Sequence, residues 1–265
     1  MRGRRYLALA AIATAVTVVS WAVAPWATAA EQPRAVIELF TSQGCTSCPP
    51  ADRLLGEMSK DPTVITLSLP VDYWDYLGWK DTLALAGHAS RQRAYSRALG
   101  YSGIYTPQAV VNGAAQALGS DRAAIEQAIA KSRNNGATLS LPVTLTIADG
   151  RLTVAAPAAK SAAAPAEVWL CPLVKAVEVA IGRGENSGHT FTYHNVVRRW
   201  IKLGEWKGEA ANWSIPVASF KSHGVDAVAV VLQSGGASAP GVMLGAAMMS
   251  LDAQHAAAAT AAARP

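Results

Sequence analysis

The chain has 265 residues, three cysteines and a formal net charge of +5. Three arginines, Arg2, Arg4 and Arg5, lie at its very start; the rest of the chain, near +2, gathers no lysines or arginines into a phosphate-binding stripe, which excludes nucleic acid as an expected partner. Past residue 30 no apolar run is long enough to span a bilayer, and about 235 residues remain to bury one large core or two modest ones.

Residues 1–30 couple the charged start to an apolar stretch that closes on Ala27-Thr28-Ala29. That is the pattern of a secretory signal peptide cleaved after Ala29 or Ala30, with an uncleaved anchor as the alternative because the apolar stretch is long. The expected location is periplasmic or secreted, with no membrane attachment after cleavage. In such a compartment thiols form disulfides that persist.

From residue 34 strand-like and helix-like patterns alternate. AVIELF (35–40) is an apolar, β-branched run, and PADRLLGEMSK (50–60) repeats Leu54, Leu55 and Met58 at helical spacing. TVITLSL (63–69) reads as a second buried strand. A long connection, PVDYWDYLGWKDTLA, leads into HASRQRAYSRALG, where Ala89, Ala94, Tyr95 and Leu99 share a helical face. QAVVNGAAQAL (108–118) predicts a hairpin turning at Asn112-Gly113, and SDRAAIEQAIAKSR predicts a helix capped by Ser120. The order is β, α, β, α, β, β, α over a first domain at residues 31–136.

After Gly136 the pattern becomes β-rich. LSLPVTLTIADGRLTVAAP alternates about an Asp149-Gly150 turn, and an Ala/Pro/Ser linker follows at 155–166. Strand-like runs then come at EVWLCPL, AVEVAIG, TFTYHNVVRRWIKL, NWSIPVAS, DAVAVVLQ and GVMLGAAMMS. They predict a second domain at 137–251, a sandwich or barrel-like unit, before an Ala-rich tail expected to be disordered at 252–265.

Chemistry concentrates in QGCTSCPP (43–50), where Cys45 and Cys48 stand two residues apart. Thiols at this spacing can form a disulfide, ligate a metal or sit idle. A cysteine at the start of a helix meets unpaired N–H groups and the positive end of the helix dipole, which favour thiolate. Cys45 is therefore the expected nucleophile and Cys48 the resolving thiol, with the Thr46 and Ser47 hydroxyls placed to donate to the thiolate. Copper or zinc needs further ligands, and no histidine lies at short spacing; His88 reads as a cap or surface residue. No cofactor is expected.

The order of elements and these motifs resemble the thioredoxin fold. In thioredoxin-like proteins the Cys-x-x-Cys opens the first helix, as Cys45 and Cys48 do, and a proline before the third strand, usually cis, faces it; Thr106-Pro107 holds that place. GCTSCPPADRLL, VDYWDYLGWKD, YTPQAVVNG and IGRGENSGHTFTYHNVVRRW also resemble a bacterial secreted family known as domain of unknown function 1223. The fold implies that Pro107 orients a partner backbone and that an acid near Glu38 accepts the proton of the resolving cysteine. Glu38 interrupts an apolar strand, so it reads either as that general base or as one half of a salt bridge.

Tyr73, Trp74, Tyr76 and Trp79 read as a partner-binding lid or as cover for the core. GRGENSGH (182–189) lacks the strand-to-helix setting of a phosphate loop and reads as a turn between strands, where Glu185, Asn186 and His194 can line a site. Cys171 reads as a packed free thiol. The expected function is thiol–disulfide exchange with the thiols or disulfides of other exported proteins. The alternatives are a redox-silent module stapled by a disulfide, and a periplasmic copper-handling protein.

Overall fold

The computed structural model describes residues 32–134, 136–159, 165–222 and 224–251; the expected leader and tail, and residues 160–164 of the linker, lie outside the described residues. The first half forms β1 (Ala35–Thr41), α1 (Pro49–Met58), β2 (Val64–Pro70), α2 (Ala86–Ala98), β3 (Gln108–Val111), β4 (Ala115–Leu118) and α3 (Arg122–Arg133). Asn112 and Gly113 both take positive φ, as the tight turn between β3 and β4 requires. Asp121, rather than Ser120, caps α3, its side chain accepting the Ala124 N–H at 3.0 Å.

The second half adds β5 (Thr144–Ala148), β6 (Arg151–Ala156), β7 (Ala166–Ala180), β8 (Thr190–Val197), β9 (Ile201–Trp206), β10 (Ala211–Pro216), β11 (Ala227–Gly236) and β12 (Ala239–Ser250). EVWLCPL and AVEVAIG, which read as two runs, form the single strand β7. TFTYHNVVRRWIKL, which read as one, breaks into β8 and β9.

The two halves share one sheet. Its strand order is β12-β11-β7-β8-β2-β1-β3-β4, with β9 also paired to β7. The β-rich segment therefore extends the first sheet through a parallel pairing of β2 with β8 at Ser68 and Val196. The sandwich expectation is met locally, since a separate sheet, β10-β6-β5, packs over one face of β7, β9, β11 and β12.

Period-two alternation divides the core. In β11, Val228, Val230 and Leu232 face the small sheet, while Ala227, Ala229 and Val231 face the layer containing α2. In β1, Ala35, Ile37 and Leu39 pack on α1 and α3, while Val36 and Phe40 join the α2 layer. Each such large apolar side chain contributes roughly 1.5–3 kcal/mol by leaving water.

Glu38 shares the α2 face with Val36 and Phe40. Its carboxylate accepts from Arg91 Nε at 2.6 Å and from the Tyr95 hydroxyl at 2.5 Å, and Arg91 continues to Gln233 Oε1 at 2.7 Å. The guanidinium also lies over the Trp200 ring, 4.2 Å from its centroid. This buried ion pair ties β1 and α2 to β11, so it joins the two halves as well as filling one of them. Glu38→Gln leaves Arg91 uncompensated in the core, and we expect it to lower unfolding free energy by about 3–5 kcal/mol in urea titrations.

Candidate functional site

Cys45 and Cys48 are joined by a disulfide just ahead of α1. The helix itself begins at Pro49, and Cys48 is its N-cap, so neither cysteine lies inside the first turn as expected. Pro49 and Pro50 carry no N–H, and the Ala51 and Asp52 N–H groups both bond the Cys48 carbonyl. The helix start therefore offers Cys45 its dipole but few free donors. Ser47 supplies a closer group: its Oγ lies 3.4 Å from Cys45 Sγ and 3.5 Å from the Thr106 carbonyl oxygen. Thr106-Pro107 is cis and stands beside the disulfide, as the resemblance implied.

Both cysteines are buried, Cys45 at 3% exposure and Cys48 at 0%. Trp74 crosses above Gly44, where an added Cβ would meet its own Cβ at 3.1 Å, and donates its indole N–H to Thr106 Oγ1 at 2.8 Å. Tyr76 stacks on Trp74 and is 77% exposed, so the aromatic connection splits between the two readings made of it: Tyr73 and Trp74 pack on the core and Tyr76 does not.

On the other side the loop is held through Gln43. Its N–H donates to Asp81 Oδ2 at 2.8 Å, and its Oε1 accepts from Trp79 Nε1 at 2.8 Å and the Thr82 N–H at 3.1 Å. Asn186, from the turn between β7 and β8, donates to the Gln43 carbonyl at 2.9 Å and the Cys45 carbonyl at 3.0 Å. Sequence reasoning placed Asn186 near a site but gave it no partner. Its partners are 141 and 143 residues away, and no local pattern reports such a pairing.

Glu38 is not brought to the cysteines, because it points to the α2 face while α1 lies on the opposite one. The acid on the side of Cys48 is Asp52, four residues on, where helical geometry puts both on one face. Asp52 is buried, accepts from Thr41 Oγ1 at 3.0 Å, and keeps an Oδ1 with no protein partner. Burial, with a smaller contribution from the Asp81 charge, pushes its carboxyl up to about 8 against the pull of the Thr41 hydroxyl. The signal in the sequence was partial, since Asp52 falls three residues before Leu55, at the edge of the apolar stripe of Leu54, Leu55 and Met58.

His88 is fully buried, its Nδ1 2.9 Å from the Pro70 carbonyl oxygen, and desolvation lowers it to about 4; it is neither cap nor surface residue. Cys171 is a buried free thiol. Among the described residues no group of three or more His, Cys, Asp or Glu side chains is arranged to hold a metal ion.

The raised Asp52 makes stability depend on pH. Below the unfolded value, near 4, both states hold the proton; between there and about 8 only the folded protein does, so stability falls as pH rises, by at most about 1.4 kcal/mol per unit. Asp52→Asn removes this slope. We expect its stability relative to the parent to increase steadily from pH 5 to pH 8 in urea titrations, and then to level off.

Comparison with curated proteins finds no match. A crystal structure of an Agrobacterium tumefaciens protein is similar in fold, with a TM-score of 0.74 and 34% identity over 83% of this chain and 95% of that one. Residues 36–233 match the family described as Protein of unknown function (DUF1223), a span that takes in the disulfide, Thr106-Pro107 and the β7–β8 turn. The chain belongs to that family.

Proposed function

We propose that this protein is an exported thiol–disulfide exchange protein of thioredoxin-like architecture, acting through Cys45 and Cys48 on thiols or disulfides of other exported proteins. The observation that carries the reading is the convergence at Ser47, whose hydroxyl lies within reach of both Cys45 Sγ and the Thr106 carbonyl next to Pro107. The strand order β2-β1-β3-β4, with α1 and α3 on one face and α2 on the other, supports the architecture. The charged, apolar and small-residue order of residues 1–30 supports export.

In the reducing direction the Cys45 thiolate attacks a partner disulfide, forming a mixed disulfide and releasing one partner thiolate. Cys48 then attacks Cys45 Sγ, the mixed disulfide breaks, the second partner thiolate leaves, and two electrons have passed to the partner. Asp52, holding its proton up to about pH 8, is the group on that helix face suited to exchange a proton with Cys48. Ser47 steadies the charge on Cys45, and the Thr106 backbone can pair with an extended partner segment. Oxidation of a partner dithiol runs the same steps in reverse.

The burial of both sulfurs favours a second reading, in which the disulfide only staples the loop to α1. Equilibration with glutathione separates the two. Exchange predicts a measurable reduced fraction; a staple stays oxidised, with a potential below about −300 mV. In the exchange reading Cys48→Ala accumulates mixed disulfides with exported proteins, seen as bands lost on reduction, and a variant with reactive Cys45 that traps nothing counts against it. Trp74→Ala uncovers the loop, and we expect small thiols to reduce the disulfide roughly tenfold faster, an order of magnitude in access.

A further inference from the structure

We infer that Asn186 is a positioning residue for the Cys45–Cys48 couple, holding the loop closed from the tip of the β7–β8 arm and so biasing the couple towards the disulfide. The inference rests on the exchange reading and adds a control that the second half of the chain exerts on the first.

Asn186 is 7% exposed and its amide nitrogen bonds two carbonyls of the active loop, those of Gln43 and Cys45. Both partners are acceptors, so the amide nitrogen and not its oxygen must face them. The Cys45 carbonyl also accepts the Cys48 N–H at 3.2 Å. Asn186 therefore fixes the peptide that closes the turn between the two cysteines. The arm that carries it is itself anchored. An added Cβ at Gly182 or Gly184 would come within 3.3 Å of Trp79, whose indole N–H is bonded to Gln43. Further along, the His194 ring sits against Gly56 of α1, and Leu83 packs with Tyr193 and Val196.

Reduction breaks the Cys45–Cys48 bond while two external thiols give up two protons and two electrons and leave as their own disulfide. In the oxidised protein the covalent link holds the two Cα atoms 5.4 Å apart whatever else happens. In the dithiol only non-covalent contacts hold them, and Asn186 then maintains the effective concentration of Cys48 at Cys45. Without Asn186 the reduced loop relaxes and gains freedom, whereas the oxidised loop stays put with two buried carbonyls short of a donor. The loss therefore falls more heavily on the oxidised protein, and the equilibrium moves towards the dithiol.

The test equilibrates the protein and two variants, Asn186→Ala and Asn186→Asp, with glutathione buffers of graded ratio, reading the oxidised fraction from alkylation mass shifts. Asn186→Asp keeps the side-chain shape and removes the donor, so it reports even where the alanine variant folds poorly. We expect the oxidation equilibrium constant to fall about tenfold in both, equivalent to a rise of about 30 mV, and the melting temperature to drop more in the oxidised than in the reduced protein. A constant within twofold of the parent, with equal drops in both redox states, overturns the inference and leaves Asn186 a structural residue. A parent that stays oxidised at every glutathione ratio overturns the exchange reading instead; dithiothreitol buffers then still compare the variants with the parent.

Discussion

Strand β2 has β1 on one side and β8 on the other, both parallel to it, and β8, paired with β7 along its length, meets β2 only near its end. Asn195, one residue before the pairing with Ser68, takes a φ of 49 and donates its side-chain amide to Thr66 Oγ1 at 2.8 Å. Asparagine tolerates that left-handed conformation better than other branched or bulky residues do. Residues 190–194 consequently part from β2 while staying paired with β7, and run beside α1. His194 lies against Gly56 near the end of that helix, Tyr193 feels the charges of Asp52 and Asp81, and Asn186 arrives at Cys45 above its start. With Val196 opposite Ser68, a straight parallel continuation of β8 along β2 would carry the β7–β8 turn to the N-terminal end of β2, away from the end where β1 leads into the disulfide loop. The turn at Asn195 is what brings the second half of the chain to the disulfide.

The same economy of contact explains the polar residues buried in the first half. Glu38, Arg91, Tyr95 and Gln233 form one connected group in which each charge and hydroxyl has a partner. Gln43, Asp81, Trp79 and Asn186 form another around the loop. Buried polar groups in this state specify an arrangement more than they add net stability, because the desolvation they cost is recovered only in one geometry. The first group fixes β11 against α2, and the second fixes the β7–β8 arm against the disulfide loop. Asp52 belongs to neither fully, with one oxygen bonded and one without a protein partner, and burial holds its proton far above the usual carboxylate range against the pull of the Thr41 hydroxyl.

What could be read from the sequence follows what is local. Apolar runs at strand length, Leu54, Leu55 and Met58 at helical spacing, and the two turns at Asn112-Gly113 and Asp149-Gly150 all mark elements that form where expected. The direction of Glu38 was not legible, because β1 is buried on both faces and alternation of apolar with polar residues, the usual guide to facing, disappears in such a strand. The pairing of β2 with β8 was not legible either. It joins residues far apart in the chain through backbone bonds that almost any side chain permits, and β8 alternates as if it belonged to an independent β unit. A boundary at residue 136 follows from composition, while the shared sheet and shared core cross it.

The cover over the disulfide is uneven in how firmly it is attached, and that unevenness bears on how a buried couple could meet a partner. The arm carrying Asn186 is continuous with the central sheet through β7, and its apolar side is packed by Leu83, Val177, Val179 and Phe191. Asp81, at the end of the aromatic connection, is held by the Gln43, Leu83 and Ala84 N–H groups. Residues 74–78 are held without sheet bonds: a single turn, the Trp74 indole bonded to Thr106 and packed at the core's edge, the Asp75 carboxylate accepting the Asp81 N–H at 3.0 Å, and an exposed Tyr76 stacked outside. Displacing Trp74 costs its indole bond and its packing at the core's edge and frees the Thr106 side chain, beside which the proposed exchange seats a partner backbone, whereas displacing Asn186 removes a donor from two buried carbonyls. In the proposed exchange the Trp74 side, which has no sheet bonds, is therefore the side that opens to Cys45, and an arriving segment that offers Thr106 a new hydrogen bond replaces the one it removes.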